Sequence, residues 1–217
     1  MKKYIAASLL NIESSQRVTI TNDLLQNGIQ WIHYDVMDGK FVPNLAIEPE
    51  EIANIKKNTV QHIADAHLMV QNPAWYAEKL IGAVDYVTLH FESLKEEEII
   101  NFIDRYQQHF KIGLAIKPNT PLAAVKHLFE QIDLLLVMSV EPGKGGQKFI
   151  ESSLEKIAAA RKIINEKNLD IIIQVDGGIN DQTAPQCFQH GANVLVAGTF
   201  LVLDFSAAKV KALLKEN

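Results

Sequence analysis

Two histidines and two aspartates stand at spacings that could bring them to one point. In Ile32-His33-Tyr34-Asp35-Val36-Met37, residues His33, Asp35 and Met37 fall on alternate positions, so an extended chain turns all three to one face. His67 and Met69 repeat that spacing, and Asp176 stands immediately before Gly177-Gly178. Two imidazoles and two carboxylates make a borderline N/O ligand set suited to one divalent ion per subunit, Zn²⁺, Fe²⁺, Mn²⁺ or Co²⁺. Such an ion would also let both carboxylates stay ionised, where without it each would raise the pKa of the other.

Opposed carboxylates suggest proton transfer at carbon. A carboxylate with a pKa of about 4 falls short of a carbon acid beside a ketone by on the order of ten units, each worth roughly 1.4 kcal/mol. A Lewis acid on the ketone oxygen supplies the missing stabilisation as an enediolate forms. A second acid on the opposite face then returns a proton with inversion, so Asp35 and Asp176 are the expected acid/base pair of an epimerase. Met37, Met69 and Met138 would wall the intermediate with polarisable apolar surface. His62, His109, His127 and His190 have no comparable company, and His190 before Gly191 suits a helix C-terminus.

These residues need a scaffold whose strand ends converge. Short β-branched or apolar runs recur at 4–10, 30–36, 62–69, 85–90, 111–117, 133–139, 170–176 and 193–198, each followed by a stretch with helical spacing. Ser8, Asp35, His67, His90, Lys117, Asp176 and Thr199 stand at the carboxyl ends of these runs or just beyond. An open sheet would confine such residues to its switch point, whereas a closed barrel turns all eight strand ends toward one site. The expectation is an α/β protein, a single (β/α)₈ TIM barrel forming one catalytic domain over 1–217. Asn72-Pro73 and Thr120-Pro121 each read as the N-cap and first residue of a helix. Gly28, Gly82 and Gly191 read as helix ends.

Three glycine-containing turns follow the last three strands: Pro142-Gly143-Lys144-Gly145-Gly146-Gln147, Gly177-Gly178 and Gly198-Thr199. Glycine lets backbone N–H groups approach an anion, and barrels recurrently bind phosphate on the loops after strands seven and eight. The expected substrate is therefore a sugar phosphate whose phosphate lies remote from the metal.

Together these segments resemble the ribulose-phosphate 3-epimerase family, which includes the similar allulose-6-phosphate 3-epimerases. The resemblance spans nearly the whole chain and rests on residues 32–39, on Phe41-Val42-Pro43-Asn44, His67-Leu68-Met69 and His90-Phe91-Glu92, and on 113–115, 138–143, Gly145-Gly146-Gln147 and 175–178. It implies metal ligation by His33, Asp35, His67 and Asp176, acid/base roles for Asp35 and Asp176, and substrate contacts at Ser8 and His67. It implies phosphate binding by Gly145, Gly146, Gly177, Gly178, Gly198 and Thr199, with Gly143 and Gln147 in the same loop, and a homo-oligomer. The chain departs from the family at Ala7, where a proline usually precedes the serine, at Asn11-Ile12-Glu13, usually Ser-Ala-Asp, and at Lys144, usually aromatic.

The expected reaction is conversion of D-ribulose 5-phosphate to D-xylulose 5-phosphate, with D-allulose 6-phosphate as the alternative substrate. A metal-free barrel, either a Schiff-base aldolase using Lys117 or an orotidine-phosphate-type decarboxylase, is a more distant alternative. The decarboxylase pattern Asp-x-Lys-x-x-Asp meets Asp65-Ala66-His67-Leu68-Met69-Val70 here and lacks its lysine. A non-catalytic sugar-phosphate sensor is disfavoured by the retention of both carboxylates.

With 47% hydrophobic and 22% charged residues the chain can close a large core. The net charge of −5 gives no general attraction for nucleic acid or anionic membrane. A lone cysteine, Cys187, excludes an internal disulfide framework. No apolar run approaches the roughly 18 residues of a membrane span, and Met1-Lys2-Lys3-Tyr4 leads into a strand without an apolar signal core. A cytoplasmic location is expected.

Overall fold

Alternation along each strand sorts the side chains into two cores. In β2 (Trp31–Met37), Ile32, Tyr34 and Val36 join the large core beneath the helices, while Trp31 joins a smaller one inside the sheet. The same split separates Leu135 and Val137 from Leu134, Leu136 and Met138 in β6 (Leu134–Met138). Strands buried on both faces suit a parallel sheet covered by helices. The computed structural model describes residues 2–202 and 205–214; Met1, 203–204 and 215–217 of the expected 1–217 span lie outside the described residues.

The remaining strands are β1 (Tyr4–Ser8), β3 (Ile63–Met69), β4 (Tyr86–His90), β5 (Lys111–Ile116), β7 (Ile172–Asp176) and β8 (Val194–Ala197). All eight pair in parallel in sequence order, and β8 closes onto β1. The expected (β/α)₈ barrel is therefore the observed fold. At the amino end of the barrel, Tyr4, Trp31 and Tyr86 stack at 6.0 and 5.0 Å between ring centroids and floor the interior.

The outer helices are α1 (Arg17–Gln26), α2 (Pro49–Asn58), α3 (Pro73–Leu80), α4 (Glu96–Tyr106), α5 (Ser153–Glu166), α6 (Thr183–Gln189), α7 (Thr199–Val202) and α8 (Ala207–Leu214). Asn72 caps α3, its side chain accepting from the Trp75 N–H, with Pro73 in the first turn. Gly28, Gly82 and Gly191 take φ of +96°, +80° and +109° where the chain turns between helix and strand. The Thr120-Pro121 expectation is corrected: the β5–β6 crossover holds only 3₁₀ turns, at Leu122–Ala124 and Lys126–Gln131. A capping signal marks where a helix can begin, but here the chain bends at Val125 (φ −120°) before a regular turn can propagate. Strand ends also contract, β1 stopping at Ser8 and β5 at Ile116.

Candidate active site and metal centre

The register of the barrel brings the chemistry-bearing residues to one depth. Ser8 lies opposite His33, Asp35 opposite His67, and Met37 opposite Met69. Met138 lies opposite Asp176 across β6 and β7. As a result one ligand atom each from His33, Asp35, His67 and Asp176 falls within 4.8 Å of the other three.

His33 Nε2 stands 3.5 Å from Asp35 Oδ1 and 3.8 Å from Asp176 Oδ2. His67 Nδ1 stands 3.4 and 3.7 Å from the same two oxygens. Both nitrogens are buried and neither has a hydrogen-bond partner, a situation that costs about 1–3 kcal/mol for each polar group. Ligand atoms held about 2.0–2.2 Å from a tetrahedral ion stand roughly 3.4 Å apart, so the spacing and the two orphaned lone pairs fit a divalent cation.

Three of the four residues, Asp35, His33 and His67, are held from behind. Ser8 donates its hydroxyl to Asp35 Oδ2 at 2.7 Å, leaving Oδ1 toward the cluster. His33 Nδ1 lies 2.8 Å from Asp65 Oδ2, which also accepts from Gln174 Nε2 at 2.7 Å. His67 Nε2 lies 2.8 Å from His90 Nε2, and His90 Nδ1 lies 3.1 Å from Glu92 Oε2. Supporting partners of this kind fix tautomer and ring orientation in metal sites.

Electrostatics push the two carboxyls apart. Burial works to raise Asp35, but the His33 and His67 imidazoles outweigh it and hold the carboxyl well below its usual range. Burial, reinforced by the Asp35 charge, pushes Asp176 up to about 6 against the pull of both imidazoles. Burial would lower His33, yet Asp65 and Asp35 hold it well above its ordinary value. Burial brings His90 down to about 4. Glu92 falls to about 2, because hydrogen bonds from His90, Thr120 and the Lys117 N–H overcome its burial.

Above the cluster opens a cavity of about 520 Å³, and Asp35, Asp176 and Ser8 reach its floor. Met37, Met69 and Met138 line it, as do the turns 143–147, 177–178 and 198–199. These turns interlock. Gly177 takes φ +119°, and a Cβ there would stand 2.4 Å from Val140 Cγ2. At Gly178 (φ +64°) a Cβ would meet the Phe149 backbone nitrogen at 2.5 Å. Asn11 donates from Nδ2 to Thr199 Oγ1 at 2.8 Å, tying the β1 loop to the same rim. His67 is fully buried and does not line the cavity. Lys117 does not line it either; its Nζ lies 4.4 Å from the centre of the Phe41 ring.

Residues 4–202 match the profile of the ribulose-phosphate 3-epimerase family. The chain belongs to that family. The ribulose-phosphate 3-epimerase of Bacillus subtilis (strain 168) is 38% identical over 198 residues, 90% of each chain. That of Eremothecium gossypii is 33% identical over 229 aligned residues, covering 100% of this chain and 93% of the relative. Among solved structures, 3-hexulose-6-phosphate synthase from Salmonella typhimurium superposes with a TM-score of 0.73 over the full length of both chains. At 18% identity it shares the barrel architecture alone. Membership makes this chain a carbohydrate epimerase, an isomerase, and no described helix is long and apolar enough to cross a membrane.

Several members of this epimerase's site escaped the sequence reading. Asp65 stands two residues before His67 in β3, and that spacing puts it on the same face. Gln174 and Thr88 stand likewise two residues before Asp176 and His90, but their contacts, Gln174 Nε2 and Thr88 Oγ1 donating to Asp65 at 2.7 and 3.5 Å, depend on which strand lies beside which. Glu92, read from the sequence only as part of the motif His90-Phe91-Glu92, sits past the end of β4 in a 3₁₀ turn over Phe91–Ser93, and no spacing along the chain marks its contact with His90.

Proposed function

We propose that this epimerase inverts carbon 3 of a ketose phosphate, interconverting D-ribulose 5-phosphate and D-xylulose 5-phosphate, with one divalent ion held by His33, Asp35, His67 and Asp176. The observation that carries the reading is the pair of unpartnered imidazole nitrogens aimed between two carboxylates. Those carboxylates come from β2 and β7, with β1 and β8 between them, and so approach a substrate from different sides. When bound, the ion would stabilise negative charge developing on the ketone oxygen of the substrate.

The chain's own residues do the rest. Asp35, fixed by the Ser8 hydroxyl, removes the proton from one face of carbon 3, and Asp176 delivers one to the other face. The reverse reaction exchanges the two roles. Met37, Met69 and Met138 exclude water from the planar intermediate. Backbone N–H groups of Gly145, Gly146, Gly177, Gly178, Gly198 and Thr199 hold the phosphate, with Gly143 and Gln147 shaping the loop. Gln147 supports that loop by donating from Nε2 to the Glu141 and Lys144 carbonyls at 2.7 and 2.8 Å.

The Lys117 aldolase reading loses its support with Lys117 outside the cavity wall. The substrate assignment is tested by kcat/KM for D-ribulose 5-phosphate and D-allulose 6-phosphate, measured in parallel on protein of known metal content. A preference of tenfold or more for the pentulose is expected; an equal preference or one for the hexulose overturns it.

A further inference from the structure

We infer that Glu92 is a positioning residue for the metal centre, acting through His90 to hold His67 in the one tautomer that can bind an ion. The inference rests on reading the four-residue cluster as a metal centre.

The chain of contacts leaves each proton one place. His67 Nδ1 is the buried nitrogen without a partner, 3.4 Å from Asp35 Oδ1. A ligating nitrogen presents its lone pair, so the His67 proton resides on Nε2. That nitrogen faces His90 Nε2 at 2.8 Å. One hydrogen serves the contact, so His90 accepts there and carries its own proton on Nδ1. His90 Nδ1 then donates to Glu92 Oε2 at 3.1 Å. Both imidazoles are fully buried.

The far end is anchored to backbone. Glu92 Oε1 accepts from the Lys117 N–H at 2.8 Å and from the Thr120 hydroxyl. Lys156 Nζ in turn donates to the carbonyl oxygens of Lys117, Pro118 and Thr120 at 3.1, 2.7 and 2.7 Å. The 3₁₀ crossover after β5 thus holds the carboxylate that orients a ligand two strands away.

Glu92→Gln breaks the chain at nearly constant volume. If the amide keeps its oxygen toward Lys117 N and Thr120, its NH₂ confronts His90 Nδ1–H. His90 then moves its proton to Nε2, against His67 Nε2–H, and His67 must place its proton on the ligating nitrogen. With the amide turned over, NH₂ confronts the Lys117 N–H instead. The first arrangement puts a proton on the ligating nitrogen and the second sets two donors face to face at the anchor, and lost support of this kind weakens metal binding by about 10–100-fold.

The test is the Zn²⁺ dissociation constant of wild type and Glu92→Gln by chelator competition. It is accompanied by ¹⁵N spectra of the imidazoles in the wild-type metal-loaded protein. Weakening of tenfold or more supports the relay, as does a His67 proton on Nε2 with a His90 proton on Nδ1. Wild-type affinity in Glu92→Gln, whatever its thermal stability, overturns the relay alone. The opposite tautomers in wild type do the same, and that readout does not depend on the variant folding. A wild-type protein that binds no divalent ion overturns the metal centre, and the relay with it.

Discussion

Asp176→Asn should make the metal-stripped protein more stable, although it removes a residue assigned to catalysis. Burial and the neighbouring Asp35 charge push the Asp176 carboxyl from 3.8 up to about 6. A folded pKa above the unfolded one means that the folded state holds the proton more tightly. Stability therefore falls as pH rises from about 3.8 to about 6, and above that the full penalty applies. At roughly 1.4 kcal/mol per unit the shift corresponds to about 3 kcal/mol. The side chain remains 18% exposed to the cavity, and solvent screening there brings the expected gain to about 1–3 kcal/mol. With a urea slope of about 2–3 kcal/mol per molar, the denaturation midpoint at pH 8 rises by about 0.3–1.5 M in the variant. The advantage should vanish below pH 4. With saturating metal the order reverses, because the wild type keeps four ligands and gains stability by mass action. A stripped variant that unfolds at lower urea than stripped wild type at pH 8 would refute the reasoning.

Three further outcomes follow from the same contacts. Gly177→Ala combines about 1–3 kcal/mol of backbone strain at φ +119° with about 1–3 kcal/mol of overpacking against Val140. Gly28→Ala at φ +96° meets nothing within 4 Å and carries strain alone, so thermal unfolding should separate the two; equal losses contradict the packing account. The Cys187 thiol, pushed up to about 12 by burial, should resist a thiol reagent at pH 8 in the native protein and react once in denaturant; rapid native labelling counts against it. Lys144, exposed on the cavity rim, should bring a cation to the phosphate, so Lys144→Phe should raise KM several-fold at low salt. An unchanged KM at low and moderate salt removes that role.

What could be read from residue order alone was whatever repeats along one strand. The period of two exposes His33, Asp35 and Met37 on one face, and the polar strand ends distinguish a barrel from an open sheet. The four proposed ligands follow from that. The support beneath them does not, because Asp65 reaching Gln174 joins residues 109 positions apart, and only closure of the sheet makes them neighbours. Glu92 is similar: its partners are His90 on one side and a backbone N–H of the next crossover on the other. The Thr120-Pro121 signal failed for a different reason. Capping chemistry is local, but whether a helix propagates depends on what the following turn can pack against.

The central claim is that carbon 3 exchanges its proton with protein carboxylates at a metal-loaded centre. Metal-loaded enzyme incubated with D-ribulose 5-phosphate in D₂O should yield D-xylulose 5-phosphate carrying deuterium at carbon 3, and both Asp35→Asn and Asp176→Asn should abolish its formation. Product that keeps the original hydrogen at carbon 3, or undiminished turnover in either variant, would contradict it.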